Sequence, residues 1–301
     1  MQISVIIATT CEQRREREVS RAVDSVLRQT AVDVELIVIV NGARVHQPLR
    51  KALSSNPCVL VHDQEEGSYP AALRFGRQLV SSSYFACLDD DDYFLDGAME
   101  ARLAGFAAGD GIDFVVTNGY REIGGQSRLI VEASAGIHAD PLGASLRANW
   151  FPSSSGLFRS ETVGPEFFDG TTRYFEWTWL LYKLLLAGRR VQFIDTPTFH
   201  ISDTPGSLSK EVSVDCISTE LWMLHQVLPQ VSSPTHRALL RVKLSQAYHH
   251  LAERHLRSGQ RREAWLAHAR SLAGPGGWRH LAFTRYLAGL QALAVTSRTR
   301  D

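Results

Sequence analysis

The chain has 301 residues, of which 44% are hydrophobic, 21% charged and 9% aromatic, and its 32 basic and 32 acidic side chains give a formal net charge of zero. These values exclude a mainly disordered chain and a simple repeat polymer, and the length suits one large domain or a large and a small one. The zero hides two opposite charges. Residues 1–234 carry 20 basic and 29 acidic side chains, a net charge of −9, whereas residues 235–301 carry 12 and 3, a net charge of +9.

The N-terminal and cysteine patterns predict a cytoplasmic protein. The opening MQISVIIATT has no basic region before its short apolar run, which is unlike a signal peptide. No stretch reaches 18 apolar residues, so no transmembrane helix is predicted and any membrane contact is expected to be peripheral. The cysteines form neither a CxxC motif nor a Cys/His cluster and are predicted to be reduced packing residues: Cys11, Cys58, Cys87 and Cys216.

The first 120 residues alternate strand and helix signals. Short runs rich in β-branched residues predict strands at 3–8, 34–40, 58–61, 84–88 and 112–117, and helical spacing of apolar residues predicts a helix over 69–80. Further along, 174–187 is a predicted helix and 191–194 a predicted strand. Near-continuous apolar strands that alternate with helices indicate an α/β fold with a largely parallel sheet.

After Pro234 the pattern changes to helices alone. Apolar residues at helical spacing predict helices over about 239–252, 264–272 and 281–295, with Ser258-Gly259 and the glycines around 274–277 as breaks. The first two resemble one tetratricopeptide-type hairpin, which is too little for a repeat array. We therefore predict an α/β domain at 1–234 followed by a small all-α unit at 235–301.

Four adjacent aspartates, numbered 89 to 92, follow the apolar strand YFACL directly. Ligands of open α/β sheets bind at the carboxyl ends of strands. Because four neighbouring carboxylates repel one another, a positive group is expected among them, and Mg²⁺ or Mn²⁺ would meet this need. The alternative is a solvated acidic turn that caps the next helix.

Six segments, in order, resemble the inverting family 2 glycosyltransferases of the GT-A fold. They are ISVIIATT, ELIVIVNGA, GSYPAALRFGRQLVSSSYFACLDDDDYFLDGAM with its DxD motif, NWFPSSSGLFRSE, YFEWTWLLYKLLLAGRRVQFI and FHISDTPGSLS, and together they cover about residues 1–215. The resemblance implies a Rossmann-like GT-A mixed sheet, with the small all-α unit as a C-terminal extension. It also implies a nucleotide-sugar donor, most often UDP-linked.

The resemblance assigns the nucleotide to the ends of the first two strands. Thr9 and Thr10 would meet the base, partly through backbone groups. Asn41 stands where the family usually has an aspartate that holds uracil, and its amide, which donates and accepts, could still read a pyrimidine edge. Arg74 would reach the diphosphate or the base, or else lies on a solvated helix face.

The aspartates match the family's metal and ribose site. Asp91 is expected to bind Mn²⁺ or Mg²⁺ directly; Asp89, which matches the other end of DxD, or Asp90 would bind the ribose or a metal-bound water. Asp92 would support its neighbours or cap a helix. His200, in the closing segment, would be a further metal or diphosphate ligand, or a structural histidine. The metal would neutralise charge on the departing nucleoside diphosphate.

An inverting transfer also needs a carboxylate that takes the proton of the acceptor hydroxyl. The family has a Glu-Asp pair at the start of a helix, and this chain has Glu176-Trp177. Glu176 is therefore the expected base and Asp169 the fallback, while the alternative for Glu176 is a favourable charge at a helix N-terminus. Ser207 and Ser209 would lie near the diphosphate.

The predicted function is a metal-dependent, inverting, non-processive sugar transfer to a glycan or lipid-linked acceptor, since the QxxRW motif and membrane spans of processive synthases are absent. The departures at Asn41 and Trp177 leave a second possibility, a catalytically impaired relative that binds glycans or nucleotide sugars. A nucleotidyltransferase would need a glycine-rich basic loop after the first strand, and TTCEQRRERE has no glycine.

The positive charge of residues 235–301 comes without a nucleic-acid recognition motif, so no nucleic-acid partner is predicted. The basic residues are spread through three predicted amphipathic helices. The expected partner is an anionic membrane surface, at the inner face of the membrane, or the acidic domain of the same chain.

Overall fold

The structure, a computed structural model, describes residues 2–204 and 213–289. The chain divides into two compact units. The first consists of Met1–Ser145, Asn149–Thr171 and Glu176–Pro205, and the second of Leu146–Ala148, Thr172–Phe175 and Gly206–Asp301.

The first unit is built on one sheet. Within the described residues its strands are β1 (Gln2–Thr9), β2 (Asp33–Asn41), β3 (Val59–Gln64), β4 (Tyr84–Asp89), β5 (Tyr93–Phe94), β6 (Phe114–Ile123), β7 (Gln126–Leu129), β8 (Gly156–Arg159) and β9 (Val191–Ile201). The strand order is β3-β2-β1-β4-β8-β6-β9-β5, with β7 paired to β6. Strands β1 to β4 are parallel, β8 is antiparallel to both β4 and β6, β9 is parallel to β6, and β5 is antiparallel to β9.

Helices flank the sheet and make up the C-terminal part of the chain. Those of residues 2–204 are α1 (Glu16–Leu27), α2 (Gln47–Ser55), α3 (Tyr69–Leu79), α4 (Ala98–Gly105), α5 (Ala135–Ala139), α6 (Pro141–Arg147) and α7 (Glu176–Leu186). Those of residues 213–289 are α8 (Val214–Val227), α9 (Pro234–Arg257), α10 (Arg261–Ala273) and α11 (Thr284–Leu287). The mixed sheet with flanking helices agrees with the predicted fold class.

The apolar run of β1 is continuous because both faces of the strand are covered. Ile3, Val5 and Ile7 belong to the core cluster that contains the buried side of α1, whereas Ile6 and Ala8 belong to the cluster that contains α3. Alternate residues of a strand point to opposite faces of a sheet, so the two clusters lie on its two sides. This explains why the strand carries no polar-apolar alternation.

Gly76 allows α3 to lie close to the sheet. A Cβ atom at this position would lie 2.5 Å from Cγ2 of Ile6 and 3.4 Å from Cγ1 of Ile39. The first distance is shorter than any real contact, so a side chain here would push the helix outward. The helix begins at Tyr69, after the Ser68 cap that accepts from the backbone N–H of Ala71.

Arg102 of α4 is fully buried and joins the turn before β8 to β9. Its Nη2 donates to the carbonyl of Ser154 at 2.6 Å, its Nη1 to that of Gly156 at 3.3 Å, and its Nε to Oγ1 of Thr198 at 3.1 Å. The guanidinium lies 4.6 Å from the ring centroid of Phe94. Burial lowers the pKa of Arg102 to about 9.

Two elements differ from the sequence prediction. The apolar run after residue 191 is interrupted by Asp195 and Pro197, so the predicted strand ends at 194. The strand β9 continues to Ile201 because it shifts register against β6 between Thr117 and Tyr120. The third predicted tail helix, 281–295, is a 3-10 helix over Gly277–Phe283 followed by the short α11, and residues beyond 289 lie outside the described residues.

The described helices of the second unit include α8, which the division at residue 234 assigns to the first domain. The predicted domain boundary at residue 234 stays a prediction. Helices α9 and α10 are joined by residues 258–260. Their alanines Ala252, Ala264 and Ala267 form one buried cluster with Phe283 and Leu287 of the segment that follows. In the parts of the chain that the structure describes, no helix is both long and apolar enough to cross a membrane.

Candidate functional site

Three of the four aspartates form a group at the carboxyl end of β4. One carboxylate oxygen each of Asp89, Asp91 and Asp92 lies within 4.8 Å of the others. Burial, reinforced by the Asp91 carboxylate, raises the pKa of Asp89 to about 6, and burial with Asp89 and Asp91 nearby raises that of Asp92. Burial disfavours the ionised form of both carboxyls and their mutual repulsion adds to this, so a nearby cation would stabilise the ionised forms. The donor set fits a hard divalent cation such as Mg²⁺ or Mn²⁺.

Asp90 is not in this group and pairs with Arg15. Nε of Arg15 donates to Oδ2 of Asp90 at 3.1 Å, and Nη2 donates to Oδ1 of the same carboxylate. The same Nη2 lies 3.4 Å from Oδ2 of Asp91. Burial opposes the charged form of Arg15, yet Asp90 and Asp91 hold its pKa above the ordinary value. A side chain of the protein therefore supplies part of the positive charge that the sequence predicts for the aspartates.

The segment after β9 contacts the same aspartates. Oγ1 of Thr204 donates to Oδ2 of Asp91 at 2.7 Å, and the backbone N–H of Ser202 donates to Oδ1 of Asp92 at 3.1 Å. Arg21 of α1 donates from Nη2 to the carbonyl of Asp91 at 2.6 Å and to Oγ of Ser202 at 2.8 Å. The predicted closing segment thus reaches the acidic group through Ser202 and Thr204.

Ser154 is a buried connector between the aspartates and the sheet. Its Oγ donates to Oδ2 of Asp92 at 3.0 Å and accepts from the backbone N–H of Asp89 at 3.3 Å, while Arg102 binds its carbonyl. Its φ is +65°, a left-handed conformation that non-glycine residues seldom adopt. These contacts on both sides hold the conformation, as is common next to functional sites.

Tyr69 links the acidic group to the predicted base. Its hydroxyl donates to Oδ1 of Asp89. Burial raises the pKa of Tyr69 well above its ordinary value, and the carboxylates of Asp89 and Glu176 add to the effect. Glu176 is the first residue of α7 and is partly exposed, and Tyr174, two residues earlier, has a φ of +81°. The structure therefore brings Glu176 into electrostatic range of the tyrosine that binds Asp89.

The fallback base and the predicted phosphate ligand bind each other. Nε of Arg74 lies 2.5 Å from Oδ1 of Asp169, and both side chains are half-exposed. Nζ of Lys183 donates to the carbonyl of Asp169 at 2.8 Å. Arg74 is thus neither a free helix-face residue nor, in this state, free for a diphosphate. To act as a base, Asp169 would first have to exchange this partner.

The predicted base-binding threonines lie at the end of β1, beside the aspartates. Oγ1 of Thr9 accepts from the backbone N–H of Cys11 at 3.0 Å. Cys11 has a φ of +51°, so the chain turns sharply here. Oγ1 of Thr10 is buried and has no hydrogen-bond partner among the described residues. A buried hydroxyl without a partner is costly, which makes Thr10 a candidate for a ligand contact.

Asn41 lies at the end of β2 and fixes the loop before α3. Its Oδ1 accepts from the backbone N–H of Ser68 at 2.9 Å and from Nε2 of Gln64 at 3.4 Å. The side-chain oxygen of Asn41 is therefore engaged within the protein. The amide nitrogen of Asn41 is then the atom that would donate a hydrogen bond to a nucleotide base.

His200 is not part of the carboxylate group. Its Nε2 lies 2.9 Å from Oγ of Ser127, and its ring stacks on that of Tyr93 with centroids 4.9 Å apart. Burial lowers the pKa of His200. Nδ1 of His200 is buried and, within the described residues, has no hydrogen-bond partner. Both the structural role and the role as a metal or diphosphate ligand stay predictions. Ser207 and Ser209 lie outside the described residues.

Sequence reasoning did not identify Arg15, Tyr69 or Thr204 as parts of the site. Arg15 belongs to the run of arginines that follows β1. We interpreted this run only as a possible nucleotide-binding loop and not as a source of positive charge for the aspartates. Tyr69 begins the predicted helix before the aspartates, where a tyrosine has no special meaning without the fold. Thr204 lies more than 100 residues from its partner along the chain.

Residues 4–148 match the family model described as glycosyl transferase family 2. Two curated relatives are uncharacterized glycosyltransferases of Rickettsia. The Rickettsia typhi protein is 29% identical over 128 residues, 42% of this chain and 39% of that protein. The Rickettsia felis protein is 27% identical over 122 residues, 40% of this chain and 20% of that protein. The chain therefore matches less than half the length of either relative.

Among solved structures, Staphylococcus aureus TarS 1–349 in complex with UDP-GlcNAc matches with a TM-score of 0.59 at 12% identity, over 96% of this chain and 92% of that chain. The mannosyltransferase PcManGT of Pyrobaculum calidifontis, in complex with GDP-Man and Mn²⁺, matches with a TM-score of 0.53 at 15% identity, over 96% and 81%. At these identities the likeness establishes the fold, and the predicted GT-A architecture is confirmed.

Proposed function

Since residues 4–148 match the family model of glycosyl transferase family 2, we propose that the protein transfers a sugar from a nucleotide sugar, a UDP-sugar in the simplest case, to an acceptor hydroxyl with inversion at the anomeric carbon. One observation carries most of this proposal. One carboxylate oxygen each of Asp89, Asp91 and Asp92 lies within 4.8 Å of the others, and Glu176, at the start of α7, is a separate carboxylate of the same unit. A cation-binding group and a separate carboxylate are the two parts that such a transfer requires.

Asp91 and Asp89, with Asp92 beside them, would hold Mn²⁺ or Mg²⁺. When bound, the metal supplies a Lewis acid that neutralises the charge of the leaving nucleoside diphosphate. The proximity of the three carboxylates supports this assignment. A further support is the Mn²⁺ in the structure of PcManGT, whose fold is similar.

The nucleotide would lie over the ends of β1 and β2. The buried hydroxyl of Thr10, which has no partner in the described part of the chain, supports a ligand contact there, and Thr9 and Asn41 line the same strand ends. The solved relatives hold UDP-GlcNAc and GDP-Man, so the fold accepts more than one nucleotide. Arg74 would turn toward the diphosphate after release from Asp169.

Glu176 would take the proton of the acceptor hydroxyl as its oxygen attacks the anomeric carbon. The bond between that carbon and the phosphate oxygen breaks, and its electron pair leaves with the nucleoside diphosphate. General-base catalysis of this kind contributes about 10²–10⁴-fold to the rate. Asp169 is the alternative base.

For the C-terminal residues we propose contact with an anionic membrane surface. One exposed face of α10 has residues at helical spacing that combine two arginines with apolar side chains: Arg262, Trp265, Leu266, Ala269 and Arg270. Arg261, Glu263 and Ala273 of the same helix are exposed as well. The exposed fractions of Trp265 and Leu266 are 42% and 56%. A helix with aromatic and aliphatic residues beside arginines suits a membrane interface. Such a contact would fit a lipid-linked acceptor, while a glycan acceptor would not require it.

The decisive experiment is a measurement of UDP and GDP release from a panel of nucleotide sugars, with and without acceptors, in Mn²⁺, Mg²⁺ or EDTA. The proposal expects metal-dependent release that an acceptor accelerates. Nucleotide binding by calorimetry without any release across the panel would instead favour the catalytically impaired binding protein.

A further inference from the structure

A cavity of about 360 Å³ on the second unit is lined by one face of α8 and by Thr172. The α8 residues are spaced three, four and seven positions apart, which puts them on one side of the helix: Asp215, Ser218, Thr219 and Trp222. The core positions of α8 include Ile217, Leu221 and Leu224, all buried. The cavity therefore lies against a helix face that does not contribute to the core.

The lining groups have the chemistry of a sugar site. Trp222, with 39% of its surface exposed, offers an indole ring against which the C–H face of a sugar can pack. Ser218 and Thr219 offer hydroxyls that donate and accept, and Asp215 offers a carboxylate that accepts from sugar hydroxyls. An apolar face bordered by a few polar groups is typical of small-molecule sites.

Thr172 adds an independent observation. Its Oγ1 is buried and, within the described residues, has no hydrogen-bond partner. A buried hydroxyl in that state is costly, and a ligand hydroxyl in the cavity would satisfy it. Thr172 also precedes the predicted base Glu176 by four residues in the chain.

Among the described residues that line the cavity there is no basic group. None of its five lining residues is a lysine, an arginine or a histidine, and Asp215 is acidic. A phosphate or another anion would therefore meet a carboxylate without a compensating cation. The lining favours a neutral or cationic polyhydroxylated ligand.

We propose that this cavity binds a neutral sugar residue of a glycan acceptor. Its role as an acceptor site rests on the proposed glycosyl transfer, whereas the binding itself does not. The ligand would pack on Trp222 and hydrogen-bond to Thr172 and Asp215.

Binding can be measured on the full chain with saturating UDP and Mn²⁺, which occupy the donor site. The probes are methyl β-glycosides of glucose, galactose and N-acetylglucosamine, with inorganic phosphate as the anionic probe. Saturation-transfer NMR measures the binding of each probe. We expect millimolar binding of at least one glycoside, at least tenfold weaker binding in Trp222→Ala, and no competition by phosphate. Trp278→Ala, which removes another exposed tryptophan (68%), is the matched control and should bind as the wild type does.

Thr172→Val provides a second test if Trp222→Ala does not fold, since it removes a hydroxyl while keeping the shape of the side chain. We expect about threefold to tenfold weaker glycoside binding from this variant. The proposal is overturned if no glycoside binds below 50 mM, if Trp222→Ala and Thr172→Val both bind normally, or if phosphate displaces the glycoside.

Nucleotide release, measured separately, distinguishes this proposal from the proposed function. Glycoside binding that depends on Trp222, in a protein that releases no nucleotide, would support the cavity and contradict the transferase. Release of nucleotide without glycoside binding would support the transferase and contradict the sugar site in the cavity.

Discussion

The first unit and the C-terminal helices carry charge in opposite ways. At the carboxyl end of the sheet, Asp90 and Asp92 are buried and bonded to specific partners, and Arg102 is fully buried among hydrogen-bond acceptors. On α10, Arg262 and Arg270 are exposed. A buried charge is stable only with defined partners, whereas an exposed charge has almost no structural cost. The net charges of residues 1–234 and 235–301 are equal in size, −9 and +9, yet among the described residues the aspartate site lies in the first of these ranges.

The strongest test of the buried site is the base. Glu176→Gln should lower the rate of transfer by about 10²–10⁴-fold, because the amide cannot take the acceptor proton. The dissociation constant of the donor should change less than twofold, since the base acts on the acceptor. Glu161→Gln, at an exposed glutamate, is the control. A Glu176→Gln variant with near-normal turnover would move the role to Asp169, which Asp169→Asn then tests.

A direct test of the comparison is the removal of one arginine from each region. Arg102→Ala should lower the free energy of unfolding by about 3–5 kcal/mol, because it leaves a cavity and unbonded acceptors at Ser154, Gly156 and Thr198. Arg262→Ala should change it by no more than about 0.5 kcal/mol. Urea unfolding of both variants measures the difference. Equal effects would contradict the distinction between buried and exposed charge.

The next expected effect concerns the metal. Asp91→Ala should weaken metal-dependent donor binding by about 100-fold, since it removes the ligand predicted to contact the cation directly. Asp96→Ala is the control, because the Asp96 side chain is 92% exposed in the same segment. Calorimetry with a UDP-sugar in Mn²⁺ and in EDTA gives both affinities. Equal affinities of the wild type in the two buffers would refute the metal assignment.

A smaller effect is expected on membranes. Low-salt binding to vesicles with anionic lipid should fall about 30-fold in Arg262→Gln/Arg270→Gln, at about 1 kcal/mol for each basic residue near the surface. Vesicles of neutral lipid should bind neither protein. Flotation at 20 and 200 mM salt measures the binding, and a wild type that ignores anionic vesicles at low salt would reject the membrane contact.

The smallest expected effect is a pH dependence from Lys183, whose burial lies between the two extremes. Burial lowers the pKa of Lys183 to about 8, although the Asp169 carboxylate opposes this, and the unfolded pKa is near 10.5. Between these values the unfolded chain binds the proton and the folded chain does not. The free energy of unfolding should therefore rise with pH from about 8 to 10.5 through this group, and not below 8.

Lys183→Met should remove that rise, whereas Lys51→Met, at an exposed lysine, should preserve it. Urea unfolding at several pH values from 7 to 10 provides the measurement. A wild-type rise that survives in Lys183→Met would assign it to another group.

The sequence predicted the elements and residues that depend on local pattern. The aspartates follow a buried parallel strand, and the register of β1 with β4, which pairs Ala8 with Asp89, brings Thr9 beside them. The pairing of Arg15 with Asp90 joins residues 75 positions apart, and that of Arg74 with Asp169 joins residues 95 apart. Neither pattern nor spacing encodes such contacts, because they arise only after the helices pack on the sheet.

The resemblance assigns Glu176 as the expected base, which stays a prediction, and it does not show what surrounds this residue. Its electrostatic relation to Tyr69 depends on how α7 and α3 pack, which no local signal contains. The cavity beside Trp222 was missed for the same reason, since the stripe on α8 is recognisable only after its inner face is known.

The close approach of α3 to the sheet at Gly76 has a consequence for sequence variation. The helix carries Tyr69 in its first turn and Arg74 two residues before the glycine. Any side chain at position 76 would push the helix away from Ile6 and would therefore displace Tyr69 and Arg74 together. In a screen of random variants scored for activity, position 76 should therefore be as intolerant as the aspartates, although glycine has no side chain to contribute to the reaction.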